Sequence, residues 1–372
     1  MKKRKLFTKK SLIIFIVIFL FISLLGILNS NTYSNKKFYK CSNRLGKVTG
    51  NIFSYFNFKH NNQDWNIYMP CGYNNVEKEL RTINVNGDRS KIIFGINGCD
   101  NIVSKNGIWN ILKTKYNRKL ASQLMPTSYI LYDPDELKHL KDDYKEGDIY
   151  ILKKNVQRKE GLKLTKDMNE ILMASKENYR VAQKYMRNLY LINNRKINLR
   201  IYLLVVIKGN NKKFYISRKG KCIYTYKEYN DDDFDFESNI TSYHLDMNVY
   251  KKNPRNFQEL IDYIDGRGDD GKKLFRNIEK LMVYSSKAMS DKVYQSDNLK
   301  GTTTFQIFGG DVIFDKNLHP YLLEFNKGPD MKARDKIDEF MKSDVQYDMF
   351  SLVGLMPYDY KTNSFFLVHE QN

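Results

Sequence analysis

Three residues with oxygen-bearing side chains fall on two neighbouring strand-like segments of the chain. Asp311 lies in FGGDVIF, Glu324 and Asn326 lie in YLLEFN, and a turn over residues 315–320 joins the two segments. Paired antiparallel strands place opposite residues within about 5 Å of each other, and residues two apart share a face. The sequence therefore predicts that two carboxylates and an amide meet on one face. Such an all-oxygen set suits Mg²⁺ held together with substrate phosphates.

Basic residues beside upstream strand-like segments could bind the phosphates of the same substrate. Lys153 ends DIYILK, Lys184 lies within YRVAQKYM, and Lys196 and Arg200 bracket the start of LRIYLLVVI. Toward a phosphate, Lys acts as a point charge and Arg as a fork. Each cation alone is typical of a solvated strand edge, whereas their coincidence favours a cleft that holds nucleotide phosphates.

Five segments occur in the order and spacing of the tubulin-tyrosine ligase-like family: YILKKNVQRKEGL, VAQKYM, NNRKINLRIYLLV, SNITSY and FQIFGGDVIFDKNLHPYLLEFNKGP. The chain resembles this family over about residues 90–355. The resemblance implies the ATP-grasp fold, an α+β architecture of mixed and antiparallel sheets with packed helices. It also implies an ATP-dependent ligase, in which a carboxylate attacks the γ-phosphate of ATP and an amine captures the acyl phosphate as an amide.

The resemblance assigns roles to individual residues. Phosphate contacts fall to Lys105 and Lys153, the adenine hinge to Gln183, Lys184, Tyr185 and Met186, further nucleotide contacts to Lys196, Asn198 and Thr241, catalytic roles to Arg200 and Glu324, and magnesium ligation to Asp311, Glu324 and Asn326. The implied cofactors are ATP and Mg²⁺, and the implied partner is an acidic protein substrate such as tubulin. Metal ions and cations fit this chemistry because they neutralise charge on the transferring phosphoryl group.

Several positions depart from the family's pattern. Asn198 stands where Asp is usual, and Ile223 or Tyr224 stands where an Arg is expected. Gly328-Pro329 replaces the usual Ser-Pro, and the glycine-rich loop is reduced to residues 158–161. These changes leave ATP and magnesium binding as expectations, and they leave open which amino acid is added and which protein accepts it.

Two other functions stay open. The first is a catalytically impaired ATP-binding module whose basic body binds an acidic partner such as a tubulin tail. The second, more remote, is a membrane-anchored glycosyltransferase, in which Asp231-Asp232-Asp233 would hold a metal and a sugar nucleotide. That triplet follows a polar segment rather than a buried strand, which disfavours the second alternative.

Composition narrows the class of partner. The chain has 372 residues and a formal net charge of +20, so it attracts polyanions. Nucleic acid is not expected to be the partner, because no arginine-rich tract, zinc-finger spacing or RNA-recognition signature accompanies the charge. The four cysteines form no CxxC pair, which argues against structural zinc and leaves their redox state open.

The N-terminal segment predicts a membrane anchor. Residues 11–30 carry no charge and reach about the 20 residues that a bilayer span needs. The preceding tail is strongly basic, so the positive-inside rule places the N-terminus in the cytoplasm and the body across the membrane. We therefore expect a single-pass membrane protein.

Patterning along the rest of the chain alternates between strands and helices. Strands are predicted over 91–96, 128–132, 148–153, 179–186, 199–207, 305–314 and 321–325, a hairpin over 214–226 with its turn at 218–220, and helices over 106–125, 135–140, 169–175, 272–288 and 336–349. The predicted divisions are a tail (1–10), the anchor (11–30), a stem (31–60), an N-terminal α/β domain (61–145), a central ATP-grasp domain (146–230) and a C-terminal ATP-grasp domain (231–372).

Overall fold

The computed structural model describes residues 33–42, 44–85, 87–156, 161–230, 232–241, 244 and 246–372. These residues form two compact units. The first contains the described residues up to 69 together with 331–363, and the second contains 70–330 together with 364–372. None of the helices in the described part is long and apolar enough to cross a membrane, and the predicted anchor lies outside that part. The finer division into domains remains a prediction.

The described strands and helices are numbered in chain order. The strands are β1 Lys37–Tyr39, β2 Lys59–His60, β3 Ile67–Tyr68, β4 Ile92–Phe94, β5 Ser128–Ile130, β6 Tyr150–Lys154, β7 Leu162–Thr165, β8 Tyr179–Lys184, β9 Ile197–Lys208, β10 Asn211–Tyr224, β11 Thr303–Phe314, β12 Pro320–Asn326 and β13 Phe365–Gln371. The α-helices are α1 Lys47–Tyr55, α2 Val76–Leu80, α3 Cys99–Val103, α4 Gly107–Tyr116, α5 Arg118–Leu124, α6 Pro134–Asp143, α7 Met168–Met173, α8 Phe236–Asn239, α9 Phe257–Asp265, α10 Gly271–Met289 and α11 Lys336–Leu352.

The first unit combines a small parallel sheet with two helices. Strand β1 pairs in parallel with β2 and β3. Helix α1 packs on α11, with the rings of Phe53 and Phe350 5.2 Å apart. The predicted stem, residues 31–60, thus includes β1, α1 and β2 and buries Phe53.

The second unit contains two sheets. In the larger one, β13, β10, β9 and β11 follow one another, and β11 also pairs with β4 at its start and with β12 at its end. The pairing between β4 and β11 is parallel, and the other pairings named here are antiparallel. The smaller sheet has the order β5-β8-β6-β7 and is antiparallel throughout. The predicted α+β class with mixed and antiparallel sheets is confirmed.

Each sheet packs one apolar face against helices, and the buried side chains between them form a core. Alternate residues of β9, such as Leu199 and Leu203, are buried against side chains from α9 and α10. Helices α6 and α7 cover one face of the smaller sheet, where Tyr150 and Leu152 of β6 and neighbouring strands are buried. Because strand side chains alternate between faces, the opposite faces of the two sheets are left to line a cavity.

Two local predictions were wrong. The segment predicted as a hairpin about residues 218–220 is one continuous strand, β10, with a bulge between Ile216 and Gly220. The chain reverses earlier, at Gly209, whose φ is +62°. The helix predicted over 106–125 is two helices, because Asn117 takes a φ of +74° between them. Strand β13 was not predicted from the pattern.

Candidate active site

A cavity of about 1440 Å³ lies between the two sheets of the second unit. We call it the site cavity. Its walls come from β6 and β8 on one side and from β9, β11 and β12 on the other. Every site residue predicted from the sequence lines it: Lys105, Lys153, Gln183, Lys184, Tyr185, Met186, Lys196, Asn198, Arg200, Thr241, Asp311, Glu324 and Asn326.

The three oxygen-bearing residues meet as their spacing predicts. Asp311 and Glu324 are direct cross-strand partners of β11 and β12. The Asn326 amide lies 3.3 Å from Asp311 Oδ2 and 3.4 Å from Glu324 Oε1, measured from Nδ2. We call these three residues the oxygen triad. The set fits a hard cation such as Mg²⁺ when the Asn326 amide turns its oxygen, rather than Nδ2, toward the two carboxylates.

Each carboxylate of the oxygen triad also has a cationic partner. Arg200, which pairs with Asp311 across β9 and β11, donates to it from Nε at 2.7 Å and from Nη2 at 3.1 Å. Lys105 donates to Glu324. Burial alone would raise the pKa of Glu324, but Lys105 and Lys153 outweigh it and hold that pKa at about 2. Burial raises the pKa of Asp311, and the Glu324 charge adds to this effect against the opposing influence of Arg200.

Two lysines in the cavity wall are buried without a direct carboxylate partner. Lys153 and Lys196 are 8% and 7% exposed, and within the described residues neither forms an ion pair. Desolvation, only partly offset by Glu324 and reinforced by Lys105, lowers the pKa of Lys153 to about 8. Desolvation and then the charge of Lys153 lower the pKa of Lys196 to about 7. Two unpaired, desolvated cations form a ready site for an anion.

The residues predicted to form the adenine hinge lie at the end of β8 in the smaller sheet and directly after it. Gln183 is buried and donates through Nε2 to Ser128 Oγ at 2.9 Å, and Lys184 forms an ion pair with Asp148 at 2.8 Å. The Tyr185 hydroxyl accepts from Lys196 Nζ at 3.2 Å, and the same ammonium lies 4.3 Å from the ring centroid. Gln183 and Lys184 therefore use their side chains for structure, and their backbones are paired within the sheet, Gln183 with both β5 and β6.

The comparison with known proteins covers the part of the chain that contains the predicted residues of this site. The model of the tubulin-tyrosine ligase family matches residues 90–363. This chain belongs to the tubulin-tyrosine ligase family. Among its relatives are tubulin polyglutamylase ttll-5 of Caenorhabditis elegans, 28% identical over 191 residues (46% of this chain, 26% of the relative), and a probable beta-tubulin polyglutamylase of Tetrahymena thermophila, 21% identical over 272 residues (66% and 22%). Tubulin glycylase 3F of Tetrahymena thermophila is 28% identical over 211 residues (51% and 22%). The chain thus spans about a quarter of the length of these curated relatives.

Two departures from the family's pattern are neighbours in space. Asn198 on β9 pairs directly with Ile223 on β10. The Asn198 side chain is 9% exposed, and its Oδ1 has no hydrogen-bond partner in the described part of the chain. If Ile223, rather than Tyr224, stands at the position of the expected Arg, the family's usual Asp and Arg are replaced together by a neutral pair. This pair presents an unused acceptor to the cavity.

Thr241 lies in the cavity wall, 8% exposed, just after α8. Nearby, Asn239 is 1% exposed and accepts a hydrogen bond from the Tyr185 hydroxyl at 2.7 Å. By contrast, Asp232 and Asp233 of the acidic triplet are exposed and do not line the cavity, and Asp231 lies outside the described residues. Residues 158–160 of the reduced loop also lie outside them.

Residues at one end of the cavity were missed by the sequence reasoning. Lys327, 7% exposed, forms an ion pair with Asp100, and Tyr73 packs on Gly328. Lys327 could have been suspected because it directly follows Asn326. No pattern marks Tyr73 or Asp100, since their contacts join segments that are distant along the chain.

Proposed function

We propose that this protein is an ATP-dependent carbon–nitrogen ligase that joins an amino acid to a carboxylate of an acidic protein, with tubulin as the candidate acceptor. The observation that carries the proposal is the pairing of two cation environments in one cavity. Lys153 and Lys196 are buried and unpaired, whereas Lys105 and Arg200 are held by the carboxylates of the oxygen triad. The unpaired lysines therefore suit the phosphates of ATP, and the oxygen triad with its cationic partners suits a metal and the reacting carboxylate.

The oxygen triad supplies the residues that would hold Mg²⁺. Asp311, Glu324 and Asn326 offer two carboxylates and an amide oxygen on one face of a hairpin. Bound there, Mg²⁺ supplies charge neutralisation for the transferring phosphoryl group. The low pKa of Glu324, about 2, keeps this carboxylate ionised and ready to ligate a cation throughout the physiological range.

Two bonds form in the proposed reaction. A substrate carboxylate oxygen attacks the γ-phosphorus of ATP, and ADP leaves with the electrons of the broken P–O bond. The amine of the second substrate then attacks the acyl phosphate carbon, inorganic phosphate leaves, and the nitrogen loses a proton. Lys153 and Lys196 stabilise charge on the nucleotide phosphates, and Arg200 stabilises charge on the reacting carboxylate, because preorganised cations in a dry site need no reorganisation during the reaction.

The amino acid added is proposed to be glutamate or glycine. Relatives include tubulin polyglutamylases and a tubulin glycylase, and the basic body, with a net charge of +20, favours an acidic acceptor. Residues 11–30 are proposed to anchor the protein in a membrane. The charge bias by itself would put the N-terminus in the cytoplasm and the body on the other side, away from a cytosolic acceptor such as tubulin, so the orientation is left to a direct test. Protease protection on sealed membranes tests this orientation, since a body digested without detergent lies on the accessible side.

The test of the reaction uses the full chain with ATP, Mg²⁺, an acidic tail peptide and radiolabelled glutamate or glycine. We expect equal amounts of ADP and labelled peptide. The Glu324→Gln variant should lose at least about a hundredfold in rate, the order seen when one preorganised charge-stabilising group is removed. Lys208→Met, at the exposed end of β9, is the matched control. Absence of ADP release, with no difference between the wild type and Glu324→Gln, would refute the ligase proposal.

The catalytically impaired binding module is kept as a second candidate, because of the neutral Asn198–Ile223 pair. If that pair removes an essential charge, the protein binds ATP and the acidic peptide without turnover. Asn198→Asp combined with Ile223→Arg would then restore ADP release. If the wild type already turns over, the module is excluded and the double variant reports only on substrate choice.

A further inference from the structure

Tyr73 occupies space that a side chain at position 328 would need. A Cβ built on Gly328 would stand 2.6 Å from both Cγ and Cδ2 of Tyr73 and 3.1 Å from its Cβ. Contacts below 3.0 Å are essentially never seen for a real Cβ. The close atoms belong to the base of the ring, so turning the ring about the Cβ–Cγ bond cannot relieve the contact, and the whole side chain would have to move. Gly328 therefore stands in place of the family's usual Ser because the Tyr73 ring lies against its backbone.

The position of the ring is fixed from several sides. Its edge packs on Phe94, with centroids 6.0 Å apart at 70°. The preceding loop is tied to α2, because the Glu79 carboxylate accepts from the backbone N–H groups of Cys71 at 2.9 Å and Gly72 at 3.4 Å. Tyr73 as a whole residue is still 38% exposed and lines the site cavity, although burial raises the pKa of its hydroxyl. Tyr73 is thus held in place by its neighbours while part of the residue remains accessible from the cavity.

The charges beside this wall are neutralised. Lys327 is paired with Asp100, and Lys105 and Arg200 are paired with the oxygen triad. A cation that enters beside Tyr73 would meet no unpaired lysine or arginine among these three residues. An exposed aromatic ring attracts an ammonium group through its quadrupole.

We propose that Tyr73 binds the second substrate before the reaction by holding the ammonium group of the incoming amino acid against its ring, beside Gly328, which lies two residues along the chain from Asn326 of the oxygen triad. The nitrogen then loses a proton to solvent and, as the free amine, attacks the acyl phosphate. The proposal rests on the ligase function proposed above, and it adds the residue that recognises the amine. Tyr73 is a substrate-binding residue here, and Gly328 is the residue whose missing side chain makes room for it.

The first experiment measures steady-state kinetics of the full chain with glutamate and with glycine at saturating ATP. Tyr73→Ala should raise the amine KM about tenfold, the order of a partly desolvated cation–π contact. The KM for ATP should stay within twofold. Tyr73→Phe keeps the ring and should recover most of the loss. Tyr360→Ala, at a tyrosine that is 74% exposed, is the matched control.

Gly328→Ala provides a second, independent perturbation of the same ring. The added methyl must displace Tyr73, so this variant should show the same rise in amine KM as Tyr73→Ala. The double variant Tyr73→Ala/Gly328→Ala should be no worse than either single variant, because the obstacle and the ring are both removed. Additive losses in the double variant would overturn the proposal. Gly46→Ala, where a Cβ meets no atom within 4 Å, controls for the substitution itself.

A binding measurement separates this proposal from the ligase proposal. In the Tyr73→Trp variant, we titrate glutamate or glycine in the presence of ADP and Mg²⁺ and follow indole fluorescence, with the wild type as background. A saturable change supports the amine subsite even if no ligation is detected. Turnover with no fluorescence change and an unaltered KM in Tyr73→Ala would leave the ligase proposal standing and refute the role of Tyr73. The absence of both a fluorescence change and turnover would refute the role of Tyr73 as well.

Discussion

Replacing Lys196 with methionine should make the ligand-free protein more stable and unable to bind ATP. Lys196 is 7% exposed and forms no ion pair with a described residue. Desolvation, followed by repulsion from Lys153, lowers its pKa from 10.5 to about 7. Methionine has a similar length and no charge. The substitution therefore removes an unfavourable buried cation while keeping most of the packing.

The size of the effect follows from the pKa. At about 1.4 kcal/mol for each tenfold change in proton affinity, the lowered pKa corresponds to roughly 5 kcal/mol of penalty on the protonated folded state. Against this, the variant loses the contacts of Lys196 with the Tyr185 ring and hydroxyl, which are worth about 2 kcal/mol together. The net gain at pH 6 is then about 3 kcal/mol, or a melting temperature higher by about 6 °C for a unit of this size.

The gain should depend on pH with a definite sign. The folded pKa of Lys196 lies below its unfolded value, so the penalty is complete below about pH 7 and fades as the pH rises toward 10.5. Lys196→Met should therefore stabilise most at pH 6 and hardly at all near pH 10. The same variant should lose the stabilisation that ATP and Mg²⁺ give the wild type, since ligand binding raises stability by mass action.

The assay is thermal or urea unfolding of the full chain at pH 6, 8 and 10, each with and without ATP and Mg²⁺. Lys208→Met removes a lysine at the exposed end of the same strand and serves as the control. A Lys196→Met variant that is less stable than the wild type at pH 6 would refute the reasoning about burial. A variant that ATP still stabilises as strongly as the wild type would refute the assignment of Lys196 to the nucleotide.

Three further outcomes follow from the same structure. Glu324→Gln removes a ligand of the oxygen triad, so Mg²⁺-dependent stabilisation by ATP should weaken at least about tenfold in apparent affinity, and isothermal titration with and without Mg²⁺ measures this. Glu136 is buried between Lys113 and Arg118, which outweigh desolvation and lower its pKa; Glu136→Gln should cost about 3 kcal/mol at pH 7 in urea unfolding. That difference should shrink as the pH falls through the folded pKa of Glu136, and a pH-independent difference would contradict it. Asn239-Ile240-Thr241 is a glycosylation sequon, but Asn239 should carry no glycan, because it is 1% exposed. Peptide mass spectrometry tests this, and a glycan on active protein would show that Thr241 is wrongly placed.

Local sequence patterning was enough to predict that the two carboxylates of the site lie opposite each other. Asp311 and Glu324 lie on strands joined by a short turn, so the register of the hairpin and the period of two place them opposite each other without any long-range information. The long helices α10 and α11 were also predicted within a few residues of their ends. These elements are set by periodicity and by nearby turns.

Local signals failed where distant contacts decide the conformation. Arg218-Lys219-Gly220 resembles a turn, yet β10 continues through it, because the strand is paired with β9 on one side and β13 on the other. Gly220 permits this path, since a Cβ there would lie 2.1 Å from the Phe257 ring. Strand β13 forms on an edge that only the folded sheet provides.

The sequence by itself determined that this chain carries an oxygen triad, a set of cations and the order of segments typical of its family. Only the tertiary structure decided which cations are paired and which are not. Lys105 meets Glu324 across 219 residues, whereas Lys153 and Lys196 are left buried without a carboxylate. It likewise brought Tyr73 against Gly328. The reason is physical: partner choice, desolvation and pKa depend on what surrounds a group in space, and spacing along the chain reports this only for neighbours on paired strands or one helix.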